Sequence, residues 1–432
     1  MQVSAKAGVS VTGLGATTPL GGDVPGTWEA MLGGRSGIVP IEDEWAEGLP
    51  VRIAGRMAAD PAGVLGRVAA RRLDRCQQAA LVAAREAWAD AGTPAVEPER
   101  LAVVIGTGVG GMLTTLGQDD LLEASGAGRI SPYTVPMMMP NGPAAVVSME
   151  LGARAGAHTP VSACASGAEA IAMGLDLIRL GRADVVVAGG AEACLHPLTF
   201  AGFAQAKALS QRNDAPAEAS RPFDAARDGF VLAEGAALVV LERAGFAAAR
   251  GARAHATLAG AGVTSDARHI TAADSAGQAR AIRLALSSAG LTGADIGHVS
   301  AHATSTPLGD VTEAESIAEA VGVHPAVTAV KSMTGHLCGA AGALGAITTV
   351  LALREGVVPA TRNLHDLDPR VKLDVVTGRP RHGHWTAALT NAFGFGGHNA
   401  CLLFTTPELG DATSGFHAVR GPHPSHLGRR LR

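Results

Sequence analysis

One arrangement of strand and helix signals occurs twice along the chain. In the first half, the apolar run LAVVIGTG (residues 101–108) precedes TPVSACASGAEAIAMGLDLIRLG (159–181). In the second half, IGHVSAHAT (296–304) precedes AVTAVKSMTGHLCGAAGALGAITTVLALREG (326–356). Each copy combines a β-branched run, a break, another short run and a long helix rich in small residues. The repetition predicts an α/β fold in which two similar halves pack together.

The composition fits helices packed tightly against sheets. Hydrophobic residues make up 47% of the 432 positions and charged residues only 17%, whereas glycine occurs 56 times. Small side chains let backbones approach closely, and high hydrophobicity with low charge excludes a disordered chain. The net charge of −4 excludes the global basic field of a nucleic-acid-binding protein.

The cysteines and the apolar stretches indicate the cellular compartment of the protein. The five cysteines are scattered and never form a CxxC pair, which argues against a disulfide framework or a structural zinc site and predicts a cytoplasmic location. The N-terminal residues lack the apolar segment of a signal peptide. Residues 337–353 are uncharged but fall short of the ~20 apolar residues of a spanning helix. We expect them to form a buried helix, and we expect no association with membranes.

The chain has no Ser/Pro-rich linker, so we expect one compact unit. Residues 1–255 should form the first half, with Cys164, and residues 256–410 the second half, with His302 and His336. Residues 411–432 are rich in Pro, Gly, His and Arg without periodicity. This composition predicts a disordered tail.

Cys164 lies among small residues where a short apolar run gives way to a helical pattern (VSACASGAEA). A free thiol has a pKa near ~8.5, and a helix N-terminus directs backbone N–H groups and the positive end of the dipole at the sulfur. The pattern therefore predicts an ionised nucleophile that a bulky substrate can reach. The alternative is a small buried residue, because free cysteines are often buried.

Three further segments strengthen the catalytic interpretation. SAHATSTPLGD (300–310) places His302 at the end of an apolar run, and KSMTGHLCGAAG (331–342) places Lys331 after a strand and His336 before a glycine-rich helix. NAFGFGGHNA (391–400) is a glycine-dense loop whose backbone could present an N–H group to an oxyanion. Its alternative is a plain turn between strands. Together with Cys164, these segments form a candidate active site.

The four motifs, in this order, resemble the β-ketoacyl-acyl carrier protein synthases, specifically the elongating type II enzymes with a Cys-His-His triad. The similarity extends from VSVTGLGATTPLGGD near the N-terminus to FGFGGHNACLLF. It implies the thiolase fold, in which two similar halves form a five-layered αβαβα core. It also implies a 3-oxoacyl-[acyl-carrier-protein] synthase, which joins an acyl-cysteine to malonyl-carrier by a decarboxylative Claisen condensation. No cofactor and no metal is implied.

The resemblance assigns roles to individual positions. The acylated nucleophile corresponds to Cys164, and the pair that binds the malonyl thioester carbonyl corresponds to His302 and His336. The lysine beside the second histidine corresponds to Lys331, and its acidic partner to Glu313. The gating phenylalanine, whose N–H forms the oxyanion hole with that of Cys164, corresponds to Phe395. The threonines that touch the pantetheine arm correspond to Thr304 and Thr306, and the residues of the acyl pocket to Val109 and Phe393.

The acyl carrier protein is the partner that the resemblance implies. Residues 67–88 (RVAARRLDRCQQAALVAAREAW) are predicted to form an amphipathic helix with arginines crowded at its start. Most such faces are simply solvated, but carriers are acidic and the matching region docks them in this family. We therefore predict Arg71, Arg72 and Arg212 as carrier contacts.

Different segments of the chain resemble different branches of the family. RPFDAARDGFVLAEGAA (221–237) and LREGVVPATRNLHDLDP (353–369) resemble catalytic subunits of type II polyketide synthases, whereas HATSTPLGD and FGFGGHNA resemble the fatty-acid enzymes. The alternative is a dedicated ketosynthase for reduced or polyene polyketides. The protein would then form a heterodimer with a chain-length factor rather than a homodimer.

Two other classes of protein, an oxidoreductase and a non-enzymatic subunit, can be distinguished from a condensing enzyme by features of the sequence. Gly106, Gly108 and Gly111 satisfy GxGxxG after an apolar run, the phosphate-binding pattern of dinucleotide-dependent oxidoreductases. That pattern requires a second strand ending in an acid ~20 residues later, and residues 112–129 predict a helix or loop instead. A non-enzymatic subunit that shapes a partner's pocket would not need a reactive Cys164.

Overall fold

The protein is described by a computed structural model that covers residues 8–407. The predicted disordered tail, residues 411–432, lies outside the described residues. The strands are β1 Val9–Thr17, β2 Ile38–Pro40, β3 Ile53–Gly55, β4 Leu101–Gly106, β5 Ala157–His158, β6 Val185–Glu192, β7 Gly235–Arg243, β8 Ala256–Ser265, β9 His298–Ser300, β10 Ala326–Thr328, β11 Val357–Val358, β12 Asp374–Val375, β13 Arg381–His382, β14 Ala387–Gly394 and β15 His398–Thr405.

The helices alternate with these strands. They are α1 Val24–Leu32, α2 Pro61–Leu65, α3 Arg67–Ala70, α4 Arg75–Asp90, α5 Met112–Ser125, α6 Thr134–Met138, α7 Gly142–Leu151, α8 Ser166–Arg179, α9 Pro197–Gln205, α10 Pro216–Ala219, α11 Ala244–Ala249, α12 Ser275–Ala289, α13 Gly309–Ala320, α14 Lys331–Thr334 and α15 Ala341–Glu355. Short 3-10 turns occur at Glu44–Ala46, Pro98–Arg100, Ala127–Arg129, Ala163–Ala165, Gly293–Asp295 and Cys338–Ala340.

The strand order confirms the duplication. Eleven strands of the described chain form one sheet in the order β12-β10-β9-β14-β15-β8-β1-β7-β6-β4-β5. In the first half, β1 lies antiparallel to β7, which lies antiparallel to β6, and β6 lies parallel to β4. In the second half, β8, β15, β14 and β9 repeat this pattern of directions. A short antiparallel pairing of β1 with β8 joins the halves.

Two central helices lie between the halves. Helix α8 packs on β4 and β6 and reaches β15, and α15 packs on β14 and β9 and reaches β7. Helix α4 covers the outer face of the first half, and α12, with α13 against it, covers the second. The result is the predicted five-layered αβαβα core.

The small residues make this central layer possible. A Cβ on Gly167 would lie 2.7 Å from the Gly339 carbonyl oxygen, and a Cβ on Gly342 would lie 2.8 Å from Cβ of Ala168. Larger side chains would therefore force α8 and α15 apart. The predicted buried helix is confirmed, because every residue of α15 from 341 to 353 is buried. No helix within residues 8–407 has the length and apolar character to cross a bilayer.

The prediction of one continuous helix over residues 67–88 is wrong. The chain forms α3, turns, and begins again at α4. The break has a local cause, since Asp74 caps α4 by accepting the backbone N–H of Cys76, while the Gln77 side chain accepts that of Asp74. This reciprocal capping favours a new N-terminus over continuation of the helix.

Candidate active site

A cavity of about 810 Å³ lies where the two halves meet. It brings together most of the side chains that the sequence singles out: Val109, Cys164, His302, Thr304, Thr306, Glu313, His336, Phe393 and Phe395. Lys331 lies behind this wall, against His302. Arg71, Arg72 and Arg212 do not line the cavity.

Cys164 occupies a strained turn at the start of a central helix. The residue before it, Ala163, has φ +50°, a left-handed conformation that is rare for residues with a side chain. The Ser166 hydroxyl stabilises the turn by accepting the backbone N–H of Ser162 at 2.9 Å and lying 2.7 Å from the Ala163 carbonyl oxygen. The thiol therefore stands at the N-terminus of α8, as predicted, and is half-buried.

The surroundings of Cys164 do not favour the ionised thiol that the sequence predicts. Burial raises the pKa of Cys164 to about 12, with Glu192 adding to the shift. The positive charge of Lys331 and the backbone N–H of Phe395 lower the pKa without overcoming burial. The thiol is thus neutral at physiological pH, and its proton has to leave to a base when the thiol reacts.

The glycine-dense loop supplies a backbone donor beside the sulfur. Gly394 packs so closely on the Cys164 turn that an added Cβ would lie 2.5 Å from the Ser162 carbonyl oxygen and 3.1 Å from the Cys164 nitrogen. This approach places the N–H of Phe395 toward the thiol, where it lowers the pKa. The backbone N–H of Phe395 thus lies beside the thiol, and its role in an oxyanion hole with the N–H of Cys164 stays a prediction. The Phe395 ring itself is 43% exposed at the cavity entrance.

Lys331 sets the tautomer of His302. Its ammonium lies 3.4 Å from Nδ1 of His302 and donates to the His302 carbonyl oxygen at 2.5 Å. An ammonium group can only donate, so Nδ1 accepts and the neutral ring carries its proton on Nε2. Burial and then the charge of Lys331 hold the pKa of His302 well below its ordinary value. The ring is therefore neutral.

His336 has both ring nitrogens without a partner among the described residues, although both are buried. Its ring packs edge-on against His302 and Phe230, with centroids 5.4 Å away in each case. Burial, followed by Lys331, holds its pKa well below the ordinary value. Unpaired buried nitrogens are costly, so this imidazole is suited to a ligand that supplies the missing hydrogen bond.

Glu313 holds the backbone of the histidine loop. Its carboxylate accepts the N–H groups of His302 at 2.8 Å and Ala303 at 2.6 Å, and the Asn391 side chain at 3.1 Å. Its expected partnership with Lys331 is electrostatic rather than a direct contact. Glu313 raises the pKa of Lys331, but burial has the larger effect and lowers it to about 8.

The two candidate pantetheine contacts belong to a loop that an unpredicted residue holds in place. The hydroxyls of Thr304 and Thr306 lie 3.1 Å apart. Arg227, 1% exposed, donates to the carbonyl oxygens of Thr306 at 2.9 Å and Pro307 at 2.5 Å, and to Asp368 at 2.9 Å. Arg227 belongs to the segment RPFDAARDGF, to which the sequence analysis assigns a resemblance but no role.

Glu192 is a second residue that the sequence analysis missed. Its fully buried carboxylate accepts the N–H groups of Gly108 at 2.7 Å and Gly339 at 3.0 Å, and the Thr107 hydroxyl at 2.9 Å. It joins the Val109 loop to the turn after His336. An acid at the end of the apolar run VVVAGGAE is the signal that could have indicated it.

The same carboxylate contradicts the dinucleotide interpretation of GxGxxG. The N–H groups of Gly108 and Val109, which would have to bind a phosphate, already donate to Glu192. A phosphate would meet a buried negative charge instead of free donors. After β4, moreover, the chain forms α5, α6 and α7 rather than the required strand.

The three arginines predicted to bind the carrier occupy different environments. Arg71 and Arg72 are exposed, and the Arg72 guanidinium lies 5.2 Å from the Tyr133 ring centroid. Arg212 is partly engaged, because it donates to the Ala226 carbonyl oxygen at 2.8 Å and lies 3.7 Å from Asp228.

Comparison with known proteins agrees with this geometry. The family model for the β-ketoacyl synthase N-terminal domain matches residues 6–247, and that for the C-terminal domain matches residues 255–365. 3-Oxoacyl-[acyl-carrier-protein] synthase 2 of Mycobacterium tuberculosis (strain ATCC 25618 / H37Rv) is 47% identical over 402 residues, covering 92% of this chain and 96% of the relative.

Solved structures agree as well. The ishigamide ketosynthase/chain length factor is 35% identical with a TM-score of 0.87, over 93% of this chain and 100% of that one. A type II PKS acyl-carrier protein in complex with its ketosynthase bound to the hexaketide matches at 29% identity and a TM-score of 0.85, over 93% of this chain and 99% of the other. The strand order, the converging cysteine and histidines, and these matches together show that the chain belongs to the β-ketoacyl synthase family.

Proposed function

We propose that the protein is a 3-oxoacyl-[acyl-carrier-protein] synthase that lengthens an acyl chain by decarboxylative condensation with a malonyl thioester. The observation that carries the proposal is the convergence of Cys164, His302 and His336 on one cavity. The low pKa of each imidazole keeps it neutral. His302 can then donate a hydrogen bond from Nε2, since its Nδ1 accepts from Lys331, whereas His336, whose ring nitrogens have no partner among the described residues, can also accept a proton.

The first step is transfer of the acyl group to Cys164. The thiol gives its proton to the neutral imidazole of His336, whose ring nitrogens have no partner among the described residues, and the sulfur attacks the thioester carbonyl. The N–H groups of Cys164 and Phe395 stabilise the oxyanion of the tetrahedral intermediate. The carrier thiol leaves with a proton, and the products are the acyl-cysteine and the free carrier.

The second step forms the carbon–carbon bond. His302, with its proton on Nε2, and His336 donate hydrogen bonds to the malonyl thioester carbonyl. Loss of CO₂ then leaves an enolate whose charge these bonds stabilise in a buried site. The enolate carbon attacks the acyl carbonyl on Cys164, the 3-oxoacyl product stays on the carrier thioester, and the sulfur leaves as a thiolate that takes up a proton from water. Lys331 supports this step by holding Nδ1 of His302 as an acceptor.

The proposed partner is an acyl carrier protein, loaded first with the acyl and then with the malonyl group. The structural relative that contains an acyl-carrier protein and its ketosynthase supports a carrier as the donor. The exposed guanidinium groups of Arg71 and Arg72, together with Arg212, are the proposed contacts for its acidic surface. Thr304 and Thr306 would contact the pantetheine arm, and Val109 and Phe393 would bound the acyl pocket.

We further propose association with a second chain of the same fold. Tyr133, Val135, Met138 and Met139 expose apolar side chains around α6, and β5 is an edge strand of the sheet, two features that favour an interface. The relative that joins a ketosynthase to a chain-length factor supports a heterodimer as the alternative to a homodimer. We also propose that the two halves of the chain divide between residues 255 and 256, and that the protein is located in the cytoplasm.

Mass spectrometry of the intact protein tests the activity. A panel of acyl-carrier donors should add one acyl group at Cys164, and malonyl-carrier should then release a 3-oxoacyl product two carbons longer. Cys164→Ala should accept no acyl group, although malonyl decarboxylation should remain because it uses the histidines. Full condensing activity in Cys164→Ala would refute the assignment. Size measurement with and without a co-expressed chain-length factor decides between the two assemblies.

A further inference from the structure

One buried carboxylate in the cavity wall takes no part in the proposed chemical steps. Glu192 lines the cavity and is fully buried. Its Oε2 accepts the N–H groups of Gly108 at 2.7 Å and Gly339 at 3.0 Å, and its Oε1 accepts the Thr107 hydroxyl at 2.9 Å and the Val109 N–H at 3.3 Å. Burial of a carboxylate is costly without such donors, and here donors surround both oxygens.

The hydrogen bonds of Glu192 cross the boundary between the two halves of the chain. Glu192 ends β6 and residues 107–109 follow β4 in the first half, whereas Gly339 precedes α15 in the second half. The backbones pack closely at this point, because a Cβ on Gly339 would lie 2.6 Å from the Gly108 nitrogen and 2.9 Å from Oε2 of Glu192. The carboxylate therefore binds the second half where it approaches the first most tightly around the cavity wall.

In the first half, the contacts of Glu192 lead to the turn that carries the nucleophile. Thr107 donates its hydroxyl to Glu192, and its carbonyl oxygen lies 3.1 Å from the Ser166 hydroxyl. Ser166 accepts the backbone N–H of Ser162 at 2.9 Å and so closes the turn around Cys164. A displacement of Thr107 would therefore be transmitted to the thiol.

In the second half, the contact leads to His336. Because neither ring nitrogen has a partner among the described residues, ring packing and the backbone have to hold the imidazole. The His336 N–H donates to the Val231 carbonyl oxygen at 2.7 Å on one side. On the other side the chain passes through Cys338, which has φ +45°, to the Gly339 N–H that Glu192 binds.

We propose that Glu192 is a positioning residue that sets the spacing between the Cys164 thiol and the His336 imidazole. The inference rests on the proposed function, in which His336 takes the proton of Cys164 during acyl transfer. Proton transfer requires the two groups to lie within hydrogen-bond reach of each other, and they come from different halves of the chain. Glu192 binds the His336 turn directly and the Cys164 turn through Thr107.

Malonyl decarboxylation makes a different demand on the geometry. It uses His302 and His336, which both belong to the second half and whose rings pack against each other with centroids 5.4 Å apart. A shift of one half against the other should therefore slow acyl transfer more than decarboxylation. The ratio of the two rates separates a positioning role from a general loss of stability.

Glu192→Met tests the proposal, because it removes both acceptor oxygens from a side chain of similar length. Single-turnover acylation of Cys164 at saturating acyl-carrier, followed by intact mass, should slow roughly 10- to 10²-fold, the effect of a displacement of about 1 Å. Decarboxylation of malonyl-carrier, measured in the Cys164→Ala background, should change little. Glu192→Gln should retain most of the acylation rate, since its amide oxygen can still accept the N–H groups of Gly108 and Gly339.

Thr107→Val is an independent second variant. It removes only the hydroxyl that joins Glu192 to the Cys164 turn, so it should lower the ratio of acylation to decarboxylation in the same direction by a smaller factor. Equal losses of both rates, or an unchanged ratio, in Glu192→Met and Thr107→Val would overturn the positioning role.

The matched control is Glu86→Met. Glu86 also accepts two backbone N–H groups, from Ala16 and Val24 at 2.8 Å each, but it does not line the cavity. This variant should leave the ratio of the two rates unchanged. Absence of acylation in the unaltered protein would instead refute the proposed function and the positioning role with it.

Discussion

The ammonium group of Lys331 lies 3.4 Å from Nδ1 of His302 and also donates to the carbonyl oxygen of the same residue. This double contact fixes the ring and leaves Nε2 as its hydrogen-bond donor. The lysine also lowers the pKa of both histidines. Burial lowers the pKa of both imidazoles most, and the one buried cation adds to that effect while it orients His302.

The first prediction follows from the pKa of Lys331, which burial lowers to about 8. Below that pH the ammonium is charged and holds Nδ1 as an acceptor; above it the charge is lost. Malonyl decarboxylation should therefore fall as pH rises through about 8. The measurement uses Cys164→Ala, so that ionisation of the thiol does not contribute. A rate that stays level or rises between pH 7 and 9.5 would contradict the assignment.

Lys331→Met provides the companion variant. It should decarboxylate more slowly at neutral pH and should lose the inflection near pH 8, because no titrating group remains at that position. If the inflection persists in Lys331→Met, another group causes it.

The second prediction concerns the order in which thiols react. Cys164 is half-buried, whereas Cys76, Cys194, Cys338 and Cys401 are buried, so iodoacetamide should label Cys164 first. Because its pKa is raised to about 12, the labelling rate should keep rising with pH from 7 to 10 without a plateau. Peptide mass spectrometry gives the rate for each site. Equal labelling of all five thiols, or a plateau near neutral pH, would contradict the structure.

Local patterns predicted the layers and the convergence of the active-site motifs. Apolar runs, small-residue helices and glycine-dense turns are defined by residues that are neighbours in the sequence. The segments that carry Cys164, His302 and Phe395 could therefore be singled out from the sequence. The raised pKa of Cys164 could not be predicted, since segments distant in sequence bury the thiol. Glu192 lies 84 positions from Gly108, and Arg227 lies 141 from Asp368. Contacts between positions so far apart produce no periodic pattern in the sequence, so they could not be predicted from it.

The third prediction concerns the close approach of Gly394 to the Cys164 turn. A Cβ there would lie 2.5 Å from the Ser162 carbonyl oxygen, so Gly394→Ala should displace the loop that carries the Phe395 N–H. Loss of one oxyanion-hole donor costs roughly 10²- to 10³-fold in kcat. We expect a fall of that order in acyl transfer, measured by single-turnover acylation.

Gly117→Ala is the matched control for this change. No atom lies within 4 Å of a Cβ at Gly117, which belongs to α5, and alanine is the better helix former. Its acyl-transfer rate should equal that of the unaltered protein. Gly394→Ala with an unchanged rate would show that the Phe395 N–H does not contribute.

The last prediction separates positioning from chemistry at Arg227. Its guanidinium reaches two loop carbonyls and Asp368 at once, and a lysine ammonium cannot reproduce that fork. Because Arg227 holds the loop at Thr306 and Pro307, whereas Glu313 separately holds its His302 end, Arg227→Lys should raise KM for carrier thioesters several-fold and leave kcat nearly unchanged. Arg381→Lys, at a half-exposed ion pair with Asp374, should change neither constant, because exposed pairs contribute little. A fall in kcat at constant KM in Arg227→Lys would mean that the loop acts on the chemical step rather than on binding of the pantetheine arm.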